Sequence, residues 1–441
     1  IEQGSFDIYD SLLLAKAAKA HLFEKTEQIQ WSGWPHGCYL DDFTGVIYGF
    51  YPFWNSGTSQ KIDFSMLTRI GYFALTFNGN GEIAERFDWQ PERAAFIGKA
   101  RQYMTKVDLV IYRSNWQNWS KFIAAKKTSF IEKLTNSIVD AVTEKVTDTA
   151  MEKVKSIISF GTKSLPSLGD GVTLFFDGYP DDAASDEFFR ELIQKLRTKL
   201  KTSGKRLSIV LPLKSLAKTV ELHSYVDLIL ILMEEPTKDT KKSLRQEVEK
   251  LFTGAERRSV LRKIVPIISP VGHDYDKGTD QQLKDDLIYF EDNFGGVGFW
   301  PLPTSKDNGV AELNNLVRAN FSDKENSDYL QNTLKQNAPW FGRIIGPHRW
   351  AFRIAFDILL FVLLAYALLS SWIFELREIF QKHFWWFLGM GALALLIQIC
   401  LCLWDPFWRG RTTGILALLL FAGVFVLIWG YVRRMKQNDL P

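Results

Sequence analysis

From Val46 to Pro303 the chain alternates short β-branched or aliphatic runs with longer polar stretches whose apolar positions recur at helical spacing. Eight such runs can be counted, at 46–51, 69–75, 108–112, 172–176, 207–211, 228–232, 264–268 and 297–300. Repeated strand-helix units predict an α/β fold with a parallel sheet. Eight of them predict a (β/α)8 TIM-like barrel over 44–304, whose reactive face is made by the loops after the strand C-termini. A helical extension precedes the barrel at 1–43, with a helix expected over 9–30, and a helical linker follows at 305–353. Breaks at Pro339-Trp340 and Gly346-Pro347 are expected to interrupt that linker.

One connection is too long. From Trp119 to Asp170 the chain spends about 50 residues where a plain unit would need roughly half that, so 120–169 reads as an insertion. Phe130, Ile131, Leu134, Ile138, Val142, Val146, Met151, Val154 and Ile157 or Ile158 recur broadly at helical spacing, which predicts one long amphipathic helix or a hairpin over 128–159. Its apolar stripe either packs on the barrel or docks on a partner subunit or a membrane surface.

After Arg353 the pattern changes to long runs that are apolar on every face. Residues 354–374, 384–404 and 414–432 are each long enough to cross a bilayer, which predicts three transmembrane helices over 354–441 and an integral membrane protein. Trp350, Trp372, Trp385, Trp386, Trp404, Trp408 and Trp429 sit close to the ends of these runs, where amphipathic rings favour the headgroup region. Loop charge does not orient the spans, because Arg377, Lys382, Arg433, Arg434 and Lys436 balance Arg343, Arg349, Arg353, Arg409 and Arg411. Asp357 lies about one turn inside the first run, either a residue within reach of interfacial water or a functional intramembrane carboxylate.

Composition narrows the chemistry by exclusion. The 441 residues carry 53 basic and 50 acidic side chains, a net charge of +3 with no basic stripe, which argues against nucleic acid. Cys38, Cys400 and Cys402 have no metal-ligand spacing, and the 6 histidines include no HExxH pair, so no metal is expected. No P-loop or dinucleotide fingerprint is present, the Gly79-Asn80-Gly81 triplet being too short for phosphate, and no cofactor is expected. The first residue is Ile1, which points to a cleaved leader or a trimmed chain.

The stretch GFYPFWNSGTSQKIDFSMLTRIGYFALTFNGNGEI, residues 49–83, resembles the opening of glycoside hydrolase family 18, the chitinase-like barrels. There a strand ending Gly-Tyr-Tyr-x-x-Trp leads into Ile-Asp-Phe-x-x-Leu-Thr-x-Ile-x-Tyr-Ala-Phe and an Asp/Asn-Gly turn. DGVTLFFDGYP at 170–180 resembles the family's fourth-strand signature, VDLILILM at 226–233 its sixth strand and GGVGFW at 295–300 its last. The resemblance implies that Trp300 floors a sugar site, that the ligand is an N-acetylglucosamine-type glycan, and that the barrel is extracytoplasmic, in a periplasm or at a cell surface.

The pattern departs from the family where the chemistry is done. The family's Asp-Gly-x-Asp-x-Asp-x-Glu-Tyr-Pro ends in the general acid, and the aspartate two residues earlier orients the substrate's acetamido nucleophile. Counting forward from Asp170 and Gly171, the inner positions hold Thr173 and Phe175 and the acid position Asp177; counting back from Tyr179 and Pro180, the acid position holds Gly178. The sixth-strand Met-x-Tyr-Asp becomes Met233-Glu234-Glu235-Pro236. Asp177, with Glu234 or Glu235 as a second carboxylate, is the residual catalytic set. Tyr51, Phe53, Trp54, Tyr112, Trp116, Trp119, Tyr179 and Trp300 lie at or just past predicted strand ends, where flat rings stack on pyranoses. Asp181 and Asp182 fit a helix start. Three readings stay open: a membrane-anchored pseudoenzyme that binds glycan or scaffolds a cell-envelope complex, an active hydrolase using Asp177, and a purely structural subunit bound to other membrane or envelope proteins.

Overall fold

A computed structural model of the chain describes residues 30–32, 43–51, 61–85, 97, 100, 103, 105–145, 167–233, 238–268, 279–300, 302, 310–321 and 339–404. Eight parallel strands form the core: β1 Val46–Tyr51, β2 Arg69–Phe77, β3 Lys106–Arg113, β4 Gly171–Phe176, β5 Arg206–Pro212, β6 Leu228–Leu232, β7 Ile264–Ile268 and β8 Gly296–Phe299. Each pairs with the next, and β8 pairs with β1, Gly296 opposite Val46, to close the ring. The eight apolar runs of the sequence are these strands, three with the same ends and the others with ends shifted by at most two residues. The closed parallel barrel is the expected fold.

Period-two alternation divides the strand side chains into two layers. Tyr48, Phe50, Phe73, Val110, Phe175, Val210, Leu230, Val265 and Ile267 fill the barrel interior. Ile47, Ile70, Leu109, Leu174, Ile209, Ile231 and Phe299 point outward against the helices. The interior is polar at the strand starts, where Arg69 on β2 and Asp108 on β3 form a buried ion pair that is also hydrogen-bonded through Arg69 Nε at 2.8 Å. Beside it the Tyr48 and Thr173 hydroxyls share a 2.8 Å hydrogen bond. Gly171 leaves room for that pair, since a Cβ there would strike the Asp108 carboxylate.

Helix α1, Trp119–Thr143, follows β3, and α2, Ala183–Thr202, follows β4. Phe130, Ile131, Leu134, Ile138 and Val142 of α1 are buried in the outer layer with Phe188, Leu192 and Leu196 of α2. The expected stripe therefore packs on the barrel side. Its helix begins nine residues earlier than 128 and ends at Thr143, and the remainder of the stripe, including Met151 and Val154, lies outside the described residues. Asp182 caps α2: its carboxylate accepts from the Ala184 and Ser185 amides at 3.1 and 3.0 Å. The remaining labelled helices of this unit are α3 Lys238–Leu251, α4 Gly254–Leu261, α5 Thr279–Asn293 and α6 Val310–Phe321.

A second compact unit holds α7 Pro339–Trp372, α8 Phe374–Lys382 and α9 Phe384–Trp404. The expected break at Gly346-Pro347 is absent, because α7 runs unbroken through both residues, and Pro339 occupies the first helical position, where its missing N–H leaves no bond unmade. α7 and α9 are antiparallel: Tyr366 stacks on Phe387 near one end, and Ile345 clusters with Leu403 and Trp404 at the other. Among the described residues one stretch, Trp385–Trp404 with mean hydropathy 2.2, is long and apolar enough to cross a membrane. The run at 354–374 supplies the C-terminal half of α7 as far as Trp372 and is then broken at Ile373, Phe374 beginning α8; the run at 414–432 lies outside the described residues, as do 9–29 of the N-terminal extension.

Candidate functional site at the strand C-termini

β4 decides which register the motif takes. Thr173 and Phe175 face the barrel interior, and Asp177 follows on the same parity just past the strand end. Gly178 then adopts φ +56°, a left-handed conformation that costs glycine little, with open space where a Cβ would be. That residue absorbs the disagreement between the two ways of counting. Asp177 sits at the mouth, and Tyr179 is carried out to the helix layer, where its hydroxyl donates to the Ser185 carbonyl at 2.8 Å. Burial pushes the Tyr179 pKa well above the usual tyrosine range.

Asp177 is held from β3. The Tyr112 hydroxyl donates to its Oδ2 at 3.2 Å, the Trp116 indole donates to its carbonyl at 2.6 Å, and its own amide donates to the Arg113 carbonyl at 2.9 Å. The floor beside it is aromatic. Trp300 meets Phe50, Phe73 and Phe175 edge-on, with ring centroids at 4.7, 4.8 and 5.5 Å, and Phe175 meets Tyr112 at 5.2 Å. Phe175 is 5 % exposed. Trp300 and Tyr112 are half-buried and so border the opening.

The sequence-derived residues thus separate into two groups. Tyr112, Asp177 and Trp300 gather at the mouth. Tyr51, Trp116 and Tyr179 belong to the outer layer: Tyr51 is buried and stacks on Tyr72 at 5.4 Å, and Trp116 packs against Trp119, Phe176 and Tyr179. Strand parity is the physical reason, since Phe50 takes the inward position and the next residue must point away. Trp54, Phe53, Glu234 and Glu235 lie outside the described residues. Phe50 and Phe73 line the floor without having been singled out. The signal that finds them is their parity with Tyr48 and Gly71 on neighbouring strands.

Arg113, one residue past Tyr112, lies over the Phe77, Trp116 and Trp119 rings at 4.7, 5.3 and 5.5 Å. Burial lowers its pKa from the ordinary arginine value. It braces the outer aromatic cluster and not the mouth. A cleft of about 340 Å³ between α1 and α2, lined by Glu132, Thr135, Gln194, Lys195, Thr198 and Lys199, is likewise on the outside. No group of three or more His, Cys, Asp or Glu that could hold a metal occurs among the described residues.

Family models and curated proteins give no match to the chain. Solved structures do. A chitinase from Bacteroides thetaiotaomicron is similar with a TM-score of 0.47 at 12% identity, over 65% of this chain and 99% of that one. A chitinase from Chromobacterium violaceum ATCC 12472 gives 0.43 at 12% identity, over 63% and 99%. The Bacillus megaterium QM B1551 spore cortex-lytic enzyme SleL gives 0.41 at 11% identity, over 63% and 74%. The chain is similar to these glycosidases in trace, and its closed eight-stranded parallel barrel stands on its own strand pairing.

Proposed function

We propose that this chain is a membrane-anchored, chitinase-like barrel that binds an N-acetylglucosamine-type glycan at its strand C-termini without hydrolysing it. The observation that carries the reading is Phe175. A family-18-like route needs a carboxylate two residues before the acid to orient the acetamido nucleophile. Phe175 offers no polar atom and is walled in by Phe50, Phe73, Tyr112 and Trp300. Among the described residues the mouth holds a set suited to recognition: the Asp177 carboxylate steadied by a tyrosine hydroxyl, next to a half-buried tryptophan.

The anchor is the C-terminal region, which we read as three spans at 354–374, 384–404 and 414–432, with the barrel outside the cytoplasm and in company with other envelope proteins. Supporting it, α7 and α9 expose Phe361, Leu364, Leu369, Leu393 and Leu396 at 48–67%, surface that water would disfavour and lipid would not.

The test uses the full chain in lipid nanodiscs, titrated with N-acetylglucosamine oligomers while tryptophan fluorescence and product release are followed together. Quenching without cleavage, weakened about tenfold or more by Trp300→Ala, is the expected result. A second reading, an active hydrolase, is favoured by the position of Asp177 at the mouth. Cleavage abolished by Asp177→Asn would establish it. Neither quenching nor cleavage by a folded protein would leave the scaffold role.

A further inference from the structure

The chain between α7 and α9 does not turn tightly. It forms a nine-residue helix, α8, set off from α7 by the single extended residue Ile373 at φ −107°, ψ 117° and from α9 by His383 at φ −110°, ψ 24°. Around this turn large rings are strongly exposed: Trp372 is 90% exposed, Phe374 73%, Trp385 75% and Trp386 76%. At the opposite end of the hairpin Trp404 is 5% exposed and packed with Ile345 and Leu403. The two ends of the same hairpin therefore treat tryptophan in opposite ways. Within α8 Glu375, Glu378 and Lys382 fall within one arc of the helix, and Ile379 lies beside that arc, about 100° from Glu378.

We propose that α8 is an interfacial helix, lying in the headgroup layer of the bilayer with Ile379 toward the acyl chains, and that Trp372, Phe374, Trp385 and Trp386 form the ring that fixes its depth. The inference rests on the anchoring reading above and extends it to a specific lipid-facing surface. Three observations select lipid as the occupant. Trp385–Trp404 begins at this ring and, at about 1.5 Å per residue, extends roughly the thickness of a hydrocarbon core. The exposed rings include three tryptophans, the side chain that settles where apolar meets wet. Among its described side chains the charges of the joining helix, Glu375, Glu378 and Lys382, gather in one arc, as in a helix lying in the plane of a membrane surface. Because α7 and α9 are antiparallel, the start of α7 and the end of α9 then share the other side of the membrane.

Single cysteines at 378, 379 and 395, in a chain whose Cys38, Cys400 and Cys402 are replaced by alanine, would be labelled with an environment-sensitive bimane in liposomes. Quenching by lipids brominated at shallow and deep acyl positions is compared with quenching by aqueous iodide. The Ile379→Cys label should be quenched by shallow-brominated lipid at least about twofold more than the Glu378→Cys label, and iodide should reverse that order. The Leu395→Cys label should respond to deep bromine. If 378 and 379 are equally open to iodide while 395 is shielded, α8 stands off the membrane and the inference falls with the anchor intact. If 379 is shielded from iodide and from bromine alike, protein covers it, and lipid is the wrong occupant. If 395 is open to iodide, the anchoring reading itself fails.

Discussion

Phe175 shares its strand face with Thr173 and Asp177, so a carboxylate placed there would enter the barrel interior among aromatic rings. Phe175→Asp, the change that restores one of the motif's two missing inner carboxylates, should therefore cost about 3 kcal/mol or more and lower Tm without creating hydrolysis, as thermal unfolding and product assays would check. Tyr48 behaves as a pH reporter for the same interior. Burial, and then the neighbouring Asp108 carboxylate, push its pKa well above the usual tyrosine range. A raised folded-state pKa means that stability is fully present below about pH 10, where the unfolded tyrosine ionises, and falls as pH rises above it. Tm measured from pH 8 to 11 should decline above pH 10, less steeply in Tyr48→Phe. Deeper still, Asp108→Asn leaves Arg69 buried without its countercharge and should cost about 3–5 kcal/mol by denaturant unfolding. At this scale the sequence was read unevenly. The positions of Tyr112 and Trp300 at strand ends are legible from the apolar runs, and that of Asp177 from counting along the fourth-strand motif. Tyr51 lies at a strand end too, but that place says nothing of parity, and Phe50, in step with Tyr48 on β1, owns the inward position.

The helices that frame the site depend on local chemistry that is legible in the sequence. Asp182 ends the Tyr179-Pro180 turn and caps α2, taking two backbone amides on Oδ1 and the Ser185 and Ser120 hydroxyls on Oδ2 at 2.8 and 3.2 Å. Asp182→Ala should cost about 1 kcal/mol. The hydrogen bond from the Ser185 amide, with that from its hydroxyl next, lowers the Asp182 pKa below the usual carboxylate range. Its contribution is present above the unfolded aspartate pKa and is lost as pH falls through the lower folded value, so the gap between wild type and Asp182→Ala in a chemical-denaturation series should close in acid. The strand positions were legible because eight apolar runs separated by helical periods admit few other arrangements. The extent of α1 was not: its start at Trp119 depends on tertiary burial of Trp119 and Ile123, and Asn118 precedes it at φ 56° without a side-chain cap, so no start signal marks it. Gly346-Pro347 was the converse case, a break signal overridden within a continuous helix.

For the molecule as a whole, removal of residues 339–441 should release the protein from the membrane fraction, which flotation with liposomes would measure. A truncated chain that still floats would move the membrane contact elsewhere. The barrel places a different demand on the molecule. β1 and β8 are neighbours in the sheet but lie some 250 residues apart in the chain, and their junction admits only glycine at 296, where any Cβ would collide with Val46. One edge of β1 must therefore stay unpaired until β8 has been made, an interval on the order of tens of seconds at about 5–20 residues per second of synthesis. The apolar run of α7 follows soon after β8. On the anchoring proposal, ring closure and the first opportunity for bilayer insertion thus fall within seconds of one another in the life of the nascent chain.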